Sequence, residues 1–143
     1  MHTRRTDDPR PARAPLTIAE VMTPQPTTIG PEKTLGAAHR SMRERPIRHL
    51  PLLRDGALIG VVSQRDLLLA ESLGASLGDR VDEGAMDEAC AAAPGEALAA
   101  VAGRMTARKA GCAVVLDAER VDGVFTSVDA RRLLAAGRVV APG

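Results

Sequence analysis

The chain repeats itself, and no other feature constrains its fold as tightly. Gly60-Val61-Val62-Ser63-Gln64-Arg65-Asp66 returns sixty-three residues later as Gly123-Val124-Phe125-Thr126-Ser127-Val128-Asp129. Both stretches read glycine, two apolar residues, a hydroxyl, two variable positions and an aspartate. At the same offset Pro31 matches Pro94, Leu35 matches Leu98, Met42 matches Met105, Arg45 matches Arg108 and Leu53 matches Leu116. A period this long, used twice, predicts two paired subdomains rather than a solenoid. Each half alone would be marginal in size, so the expectation is one shared core with ligand-sized clefts between the halves.

Charge and composition exclude several partners. Nineteen Lys and Arg against eighteen Asp and Glu leave a net charge of +1, too little field to draw in nucleic acid or an anionic membrane. The chain has one aromatic residue, Phe125, and therefore lacks the stacking platforms on which single-stranded nucleic-acid binders depend. Cys90 and Cys112 stand apart from any short-spaced Cys or His, so no metal site is expected and both read as small buried residues of a reduced, cytoplasmic protein. No signal segment and no membrane span is expected.

Taken in order, residues 1–15 hold four arginines, three prolines and two aspartates and read as a disordered arm. Residues 16–73 form the first repeat, 74–80 a glycine-containing linker, 81–137 the second repeat and 138–143 a tail. Thr17 is placed to cap a short helix through Met22 that leads into the first repeat, and Pro24 and Pro26 stop it. Thr27-Thr28-Ile29 reads as a brief strand. Leu35, Ala38 and Met42 recur at helical spacing until Pro46, and Ile47–Leu53 and Leu58–Val62 flank the hairpin turn at Arg54-Asp55-Gly56. A helix then runs from about Gln64 to Leu73. The second repeat follows the same order: Ala91–Ala93, a helix over Glu96–Lys109, the hairpin Cys112–Leu116 with Val121–Phe125, and a helix over Ser127–Ala136. One residue is missing between Met86 and Pro94 relative to Met22 and Pro31, which predicts a tighter lead-in to the second repeat. The fold class is α/β, with each repeat strand-helix-strand-strand-helix.

The repeated motif has two readings. A strand that ends where a helix begins leaves backbone N–H groups at the positive end of the helix dipole, which suits phosphate, and Asp66 and Asp129 are placed to accept from a ribose diol. Ser-x-x-Asp and Thr-x-x-Asp are equally variants of the capping box, in which hydroxyl and carboxylate serve the helix itself. No Ser/His/Asp, Cys/His or paired-carboxylate set stands outside the motif, and His39 is expected on a solvent-facing helix, so no catalytic residues are expected.

The order of elements, its duplication, Val21-Met22-Thr23-Pro24 at the start and Arg48-His49-Leu50-Pro51-Leu52 on the middle strand resemble a tandem pair of cystathionine-beta-synthase-type (CBS) domains, a Bateman module, over residues 16–137. The resemblance implies two repeats related by a pseudo-twofold axis whose clefts bind AMP, ADP, ATP or S-adenosylmethionine, with no covalent cofactor. It places Ser63, Asp66, Thr126 and Asp129 against phosphate and ribose. Arg48 and His49 on the middle strand either reach a ligand's phosphates or are only an exposed strand-end pair, and Thr28 and Arg65 are further candidate ligand contacts. Gly111 and Cys112 replace Arg48 and His49 in the second, so the clefts are expected to differ in affinity. Nothing is appended to the pair in this sequence, which implies a stand-alone regulatory module acting on another protein rather than an enzyme. The alternative is an interaction module whose clefts stay empty. Leu67, Leu68, Leu69, Ala70 and Leu73, with Leu133, Leu134, Ala135 and Ala136, span too much of each motif-following helix to face one core, and a homodimer is expected through them.

Overall fold

A computed structural model describes residues 16–138. The arm over 1–15 and residues 139–143 of the tail lie outside the described residues. Among the described residues the elements run α1 (Ile18–Val21), β1 (Thr23–Pro24), α2 (Leu35–Glu44), β2 (His49–Arg54), β3 (Ala57–Ser63) and α3 (Gln64–Ser72). They continue with α4 (Val81–Gly84), β4 (Cys90–Ala92), α5 (Leu98–Arg108), β5 (Cys112–Asp117), β6 (Arg120–Thr126) and α6 (Ser127–Ala135).

The first hairpin forms where its turn chemistry predicts it, and the second where the repeat places it. Asp55 and Gly56 adopt φ of 52° and 83°, the left-handed pair that a two-residue turn needs to match strand twist. Ala118 and Glu119 take up the same conformation at φ of 52° and 71° without a glycine. Pro46 and a left-handed Lys109 (φ 56°) close α2 and α5.

The second sheet is ordered β1-β6-β5-β4, with β4 parallel to β5 and the other pairs antiparallel. The first has the same plan in reduced form. β2 and β3 pair antiparallel, Ile29 bridges Leu52 in parallel and Asp87 bridges Val61 antiparallel. The expected strand at Thr27-Thr28-Ile29 is thus a single bridge. The shorter second lead-in likewise makes one bridge at Asp87, where the first makes the two-residue β1.

The lead-in segments are exchanged between the repeats. The short helix through Met22 is expected to lead into the first repeat, yet the β1 that follows it lies against β6 of the second, and Ile18, Val21 and Met22 pack with Cys90, Ala92, Val101, Met105, Ala113, Val115, Phe125 and Leu133. Reciprocally, Val81 and Ala85 of α4 complete the cluster of Ile29, Leu35, Ala38, Met42, Leu50, Leu52, Val62 and Leu67. The single shared core expected from size is therefore two cores, one per sheet. Pro51, Val61, Cys112 and Val114 are buried yet belong to neither. Strand alternation puts them on the opposite face of each hairpin, where β3 and β6 come together and the repeats meet.

Candidate functional site

Each motif delivers its hydroxyl at the last residue of a strand, and that residue is the N-cap of the next helix. Ser63 Oγ accepts from the Asp66 N–H at 3.0 Å, and Asp66 Oδ2 accepts from the Ser63 N–H at 3.3 Å. In the second repeat Thr126 Oγ1 accepts from the Asp129 N–H at 3.4 Å, and Asp129 Oδ2 accepts from both the Thr126 N–H at 2.9 Å and its hydroxyl at 3.2 Å. Both motifs are closed capping boxes.

The expectation that several N-terminal N–H groups point outward for phosphate is corrected here. Besides the two cap amides, the Gln64 N–H donates to the Arg48 carbonyl at 2.9 Å and the Ser127 N–H to the Gly111 carbonyl at 3.1 Å. Three of the four amides from N-cap to N3 are consumed in each repeat. Two of the three go to the local capping box and the third to tertiary packing: the residue just before each middle strand lies against the helix start and takes its first amide.

His49 lies beside the first motif. It is the strand partner of Ser63, and Asp66 is close enough to act on its charge. The ring also reaches the other repeat: a Cβ placed on Gly111 would sit 3.3 Å from His49 Nε2 and 3.8 Å from Ser127 Oγ. Burial holds the His49 pKa below the usual imidazole value; Asp66 pulls it up and Arg48 pushes it further down. Arg48 and Arg65 are exposed, and neither side chain makes a hydrogen bond or ion pair among the described residues. Thr28 is exposed one residue before Ile29, whose N–H donates to the Pro51 carbonyl at 3.0 Å.

The second motif has different neighbours. Cys112 is the strand partner of Thr126 and feels Asp129, and burial pushes its thiol up to about 12. Gly111 brings no side chain and Val128 stands where the first repeat has Arg65. The structure thus groups Ser63, Asp66, His49, Arg48 and Arg65 at one end of the first hairpin, and leaves Thr126 and Asp129 without a basic residue at the matching positions. Sequence reasoning assigned no role to Ser127 and none beyond missing charge to Gly111, the residue whose bare backbone the His49 ring approaches. The available signal was the bare glycine at 111 itself. His39, expected to face solvent, instead pairs with Glu71 and ties α2 to α3. Among the described residues no His, Cys, Asp and Glu cluster could hold a metal ion.

Two stacked repeats, each a small sheet with its helices and each completed by the other's lead-in, define a tandem α/β module. The CBS-domain family model matches residues 18–72. The Vibrio cholerae protein described as acetoin utilization protein AcuB is 31% identical, with 90% of this chain and 100% of that one aligned and a TM-score of 0.73. The chain belongs to the CBS domain family, as a tandem CBS pair. The CBS pair of protein MJ0100, solved with 5'-methylthioadenosine and S-adenosyl-L-methionine, superposes with a TM-score of 0.80 at 23% identity over 87% of this chain and 99% of that one. CBSX2 in complex with AMP gives 0.73 at 22% identity over 86% and 98%. Both share the fold. A homoserine O-acetyltransferase of Methanococcoides burtonii is 29% identical over 82% of this chain, which spans only 24% of that protein's length.

Proposed function

We propose that the protein is a regulatory module that binds an adenosine-containing ligand at its first repeat and passes that occupancy to a partner protein, without catalysis of its own. The observation that carries the reading is the asymmetry of charge. Arg48 and Arg65 stand unpaired beside the Ser63–Asp66 motif among the described residues, and the matching positions of the second repeat are Gly111 and Val128. Unpaired guanidinium groups next to a carboxylate and a hydroxyl suit a nucleoside carrying phosphate. The structures of MJ0100 and CBSX2, solved with adenosyl compounds, support the ligand class. Ser63 and Asp66 would turn from each other toward the ligand, Thr28 would border it, and Thr126 and Asp129 would form a weaker second position.

Two free, buried cysteines fit a reduced, cytoplasmic setting. Among the described residues no helix is long and apolar enough to cross a membrane. The exposed rows on α3 and α6 fit a homodimer.

The competing reading is an interaction module with empty clefts, and the closed capping boxes favour it. A thermal-shift panel of AMP, ADP, ATP and S-adenosylmethionine separates the two. A ligand at 100 times its Kd adds about 2.7 kcal/mol to stability, whereas no shift with any of the four overturns the ligand reading. Calorimetry with whichever compound binds then compares Asp66→Ala with Asp129→Ala. The first should weaken binding more; an equal or reversed order removes the asymmetry.

A further inference from the structure

We infer that ligand binding at the first repeat is proton-coupled: His49 takes a proton from solvent when an anionic nucleotide settles beside Ser63 and Asp66. This rests on the reading of that cleft as the ligand site, and it names what the chemistry there adds. His49 occupies the junction of the two repeats, with its ring against Gly111 and near Ser127 of the second and its backbone paired to Ser63 of the first. The charged groups that act on the ring are Asp66 from α3 and Arg48 from its own strand, and they oppose each other. From the second repeat Gly111 and Ser127 bring no charge, and Cys112, the counterpart of His49, stays a neutral thiol because burial pushes it up to about 12.

The ring is therefore held neutral at neutral pH by burial, with no single charged partner to fix it in either state. A phosphate brought alongside upsets that balance toward the imidazolium, because a nearby negative charge favours the protonated ring. Only the first repeat can respond in this way, since Cys112 cannot take up a proton. Anionic nucleotides bind more tightly as pH falls, and a sulfonium compound such as S-adenosylmethionine does not share the gain.

The test uses AMP as probe. Histidine-ring NMR of the wild-type protein should show the His49 titration moving upward by about one pH unit when AMP is added, which corresponds to about a tenfold gain in affinity toward acid. Calorimetry near neutral pH in buffers of different ionisation enthalpy should report proton uptake that His49→Asn removes, after the bound phosphate's own titration, followed by phosphorus NMR in each protein, is subtracted. AMP binding with an unchanged His49 titration, or uptake that survives in a folded His49→Asn variant, overturns the inference and leaves the ligand reading intact. Failure of AMP to bind the wild-type protein overturns this inference, while the wider ligand panel judges the cleft separately. If His49→Asn does not fold, the wild-type NMR titration decides alone.

Discussion

Met22 of the first lead-in packs directly onto Gly123 of the second motif, and Met86 packs in the same way onto Gly60. The glycine that opens each copy of the motif is thus a seat for the lead-in of the other repeat. A Cβ at Gly123 would lie 2.8 Å from the Thr23 carbonyl oxygen as well as against the Met22 side chain, and one at Gly60 would lie 2.8 Å from the Asp87 oxygen and 2.6 Å from Met86 Cγ. A methionine can swing aside, but the backbone oxygen is fixed by the strand pairing.

Gly60→Ala and Gly123→Ala should each destabilise the protein by about 1–3 kcal/mol, the usual range for overpacking. Denaturant midpoints check this. A neutral result at both sites would mean that the lead-ins are not tightly seated.

The exchange makes a further demand on how the chain can be cut. Every residue of the first core lies between Ile29 and Ala85, whereas the second core needs Ile18 from the far side of it. A fragment of residues 27–88 should therefore unfold cooperatively in urea. Residues 16–73, the apparent first repeat, should not, because they lack Val81 and Ala85 and leave Ile18 unpaired. Far-UV circular dichroism during urea titration compares them directly. Equal or better cooperativity in 16–73 would contradict the exchanged packing.

The sequence discloses what is local and leaves hidden what packing alone decides. Duplication, hairpin turns and helix caps are local, and Ser63-x-x-Asp66 carries its capping geometry in four residues. The exchange is different in kind. Met22 and Met86 belong to a repeated pattern, and a repeated pattern reads the same whether each lead-in serves its own repeat or the other. Only packing breaks the tie. The loss of the Gln64 and Ser127 amides is likewise tertiary, since the Arg48 and Gly111 carbonyls that take them are distant in sequence from the helices they cap, whereas the other two amides of each helix start go to the local capping box.

Ser63→Ala and Thr126→Ala should each cost about 0.5–2 kcal/mol, because each hydroxyl accepts from an N3 amide that is otherwise left open. Their effects on ligand affinity should differ. Ser63→Ala should weaken binding in the first cleft as well, and Thr126→Ala should leave it nearly unchanged. Measuring midpoint and affinity on the same two variants checks both statements; stability loss with intact affinity at Ser63 supports the cap-only reading.

Stability should also fall in mild acid through His49. Its folded pKa is held below the unfolded value near 6.5, so the unfolded chain binds the proton first as pH drops. The contribution is complete above about pH 6.5 and is lost as pH falls from there toward the folded value. Wild-type protein without ligand should therefore lose more of its denaturant midpoint between neutral pH and mild acid than His49→Asn does. Parallel slopes for the two proteins would show that His49 is not the group responsible.

Leu67 and Leu133 are buried, but Leu68 is 53%, Leu69 58%, Leu73 81% and Leu134 49% exposed. Ala135 and Ala136 are exposed beside Leu134. α3 and α6 issue from β3 and β6, the two strands that meet between the repeats, so both apolar rows spring from the same junction. A monomer rarely leaves a surface of this kind in water, and a second copy related by a twofold axis offers the same rows in return. Covering them requires an interface on the order of 1,200–2,000 Å² in total, as stable pairs commonly bury. Light scattering after size exclusion should give twice the 15.0 kDa chain mass at micromolar concentration. Leu69→Glu should return the mass to that of one chain, because it sets a charge in the contact with no opposite charge to meet it. A wild-type monomer at that concentration, or a Leu69→Glu dimer as tight as wild type, would place the contact elsewhere or remove it.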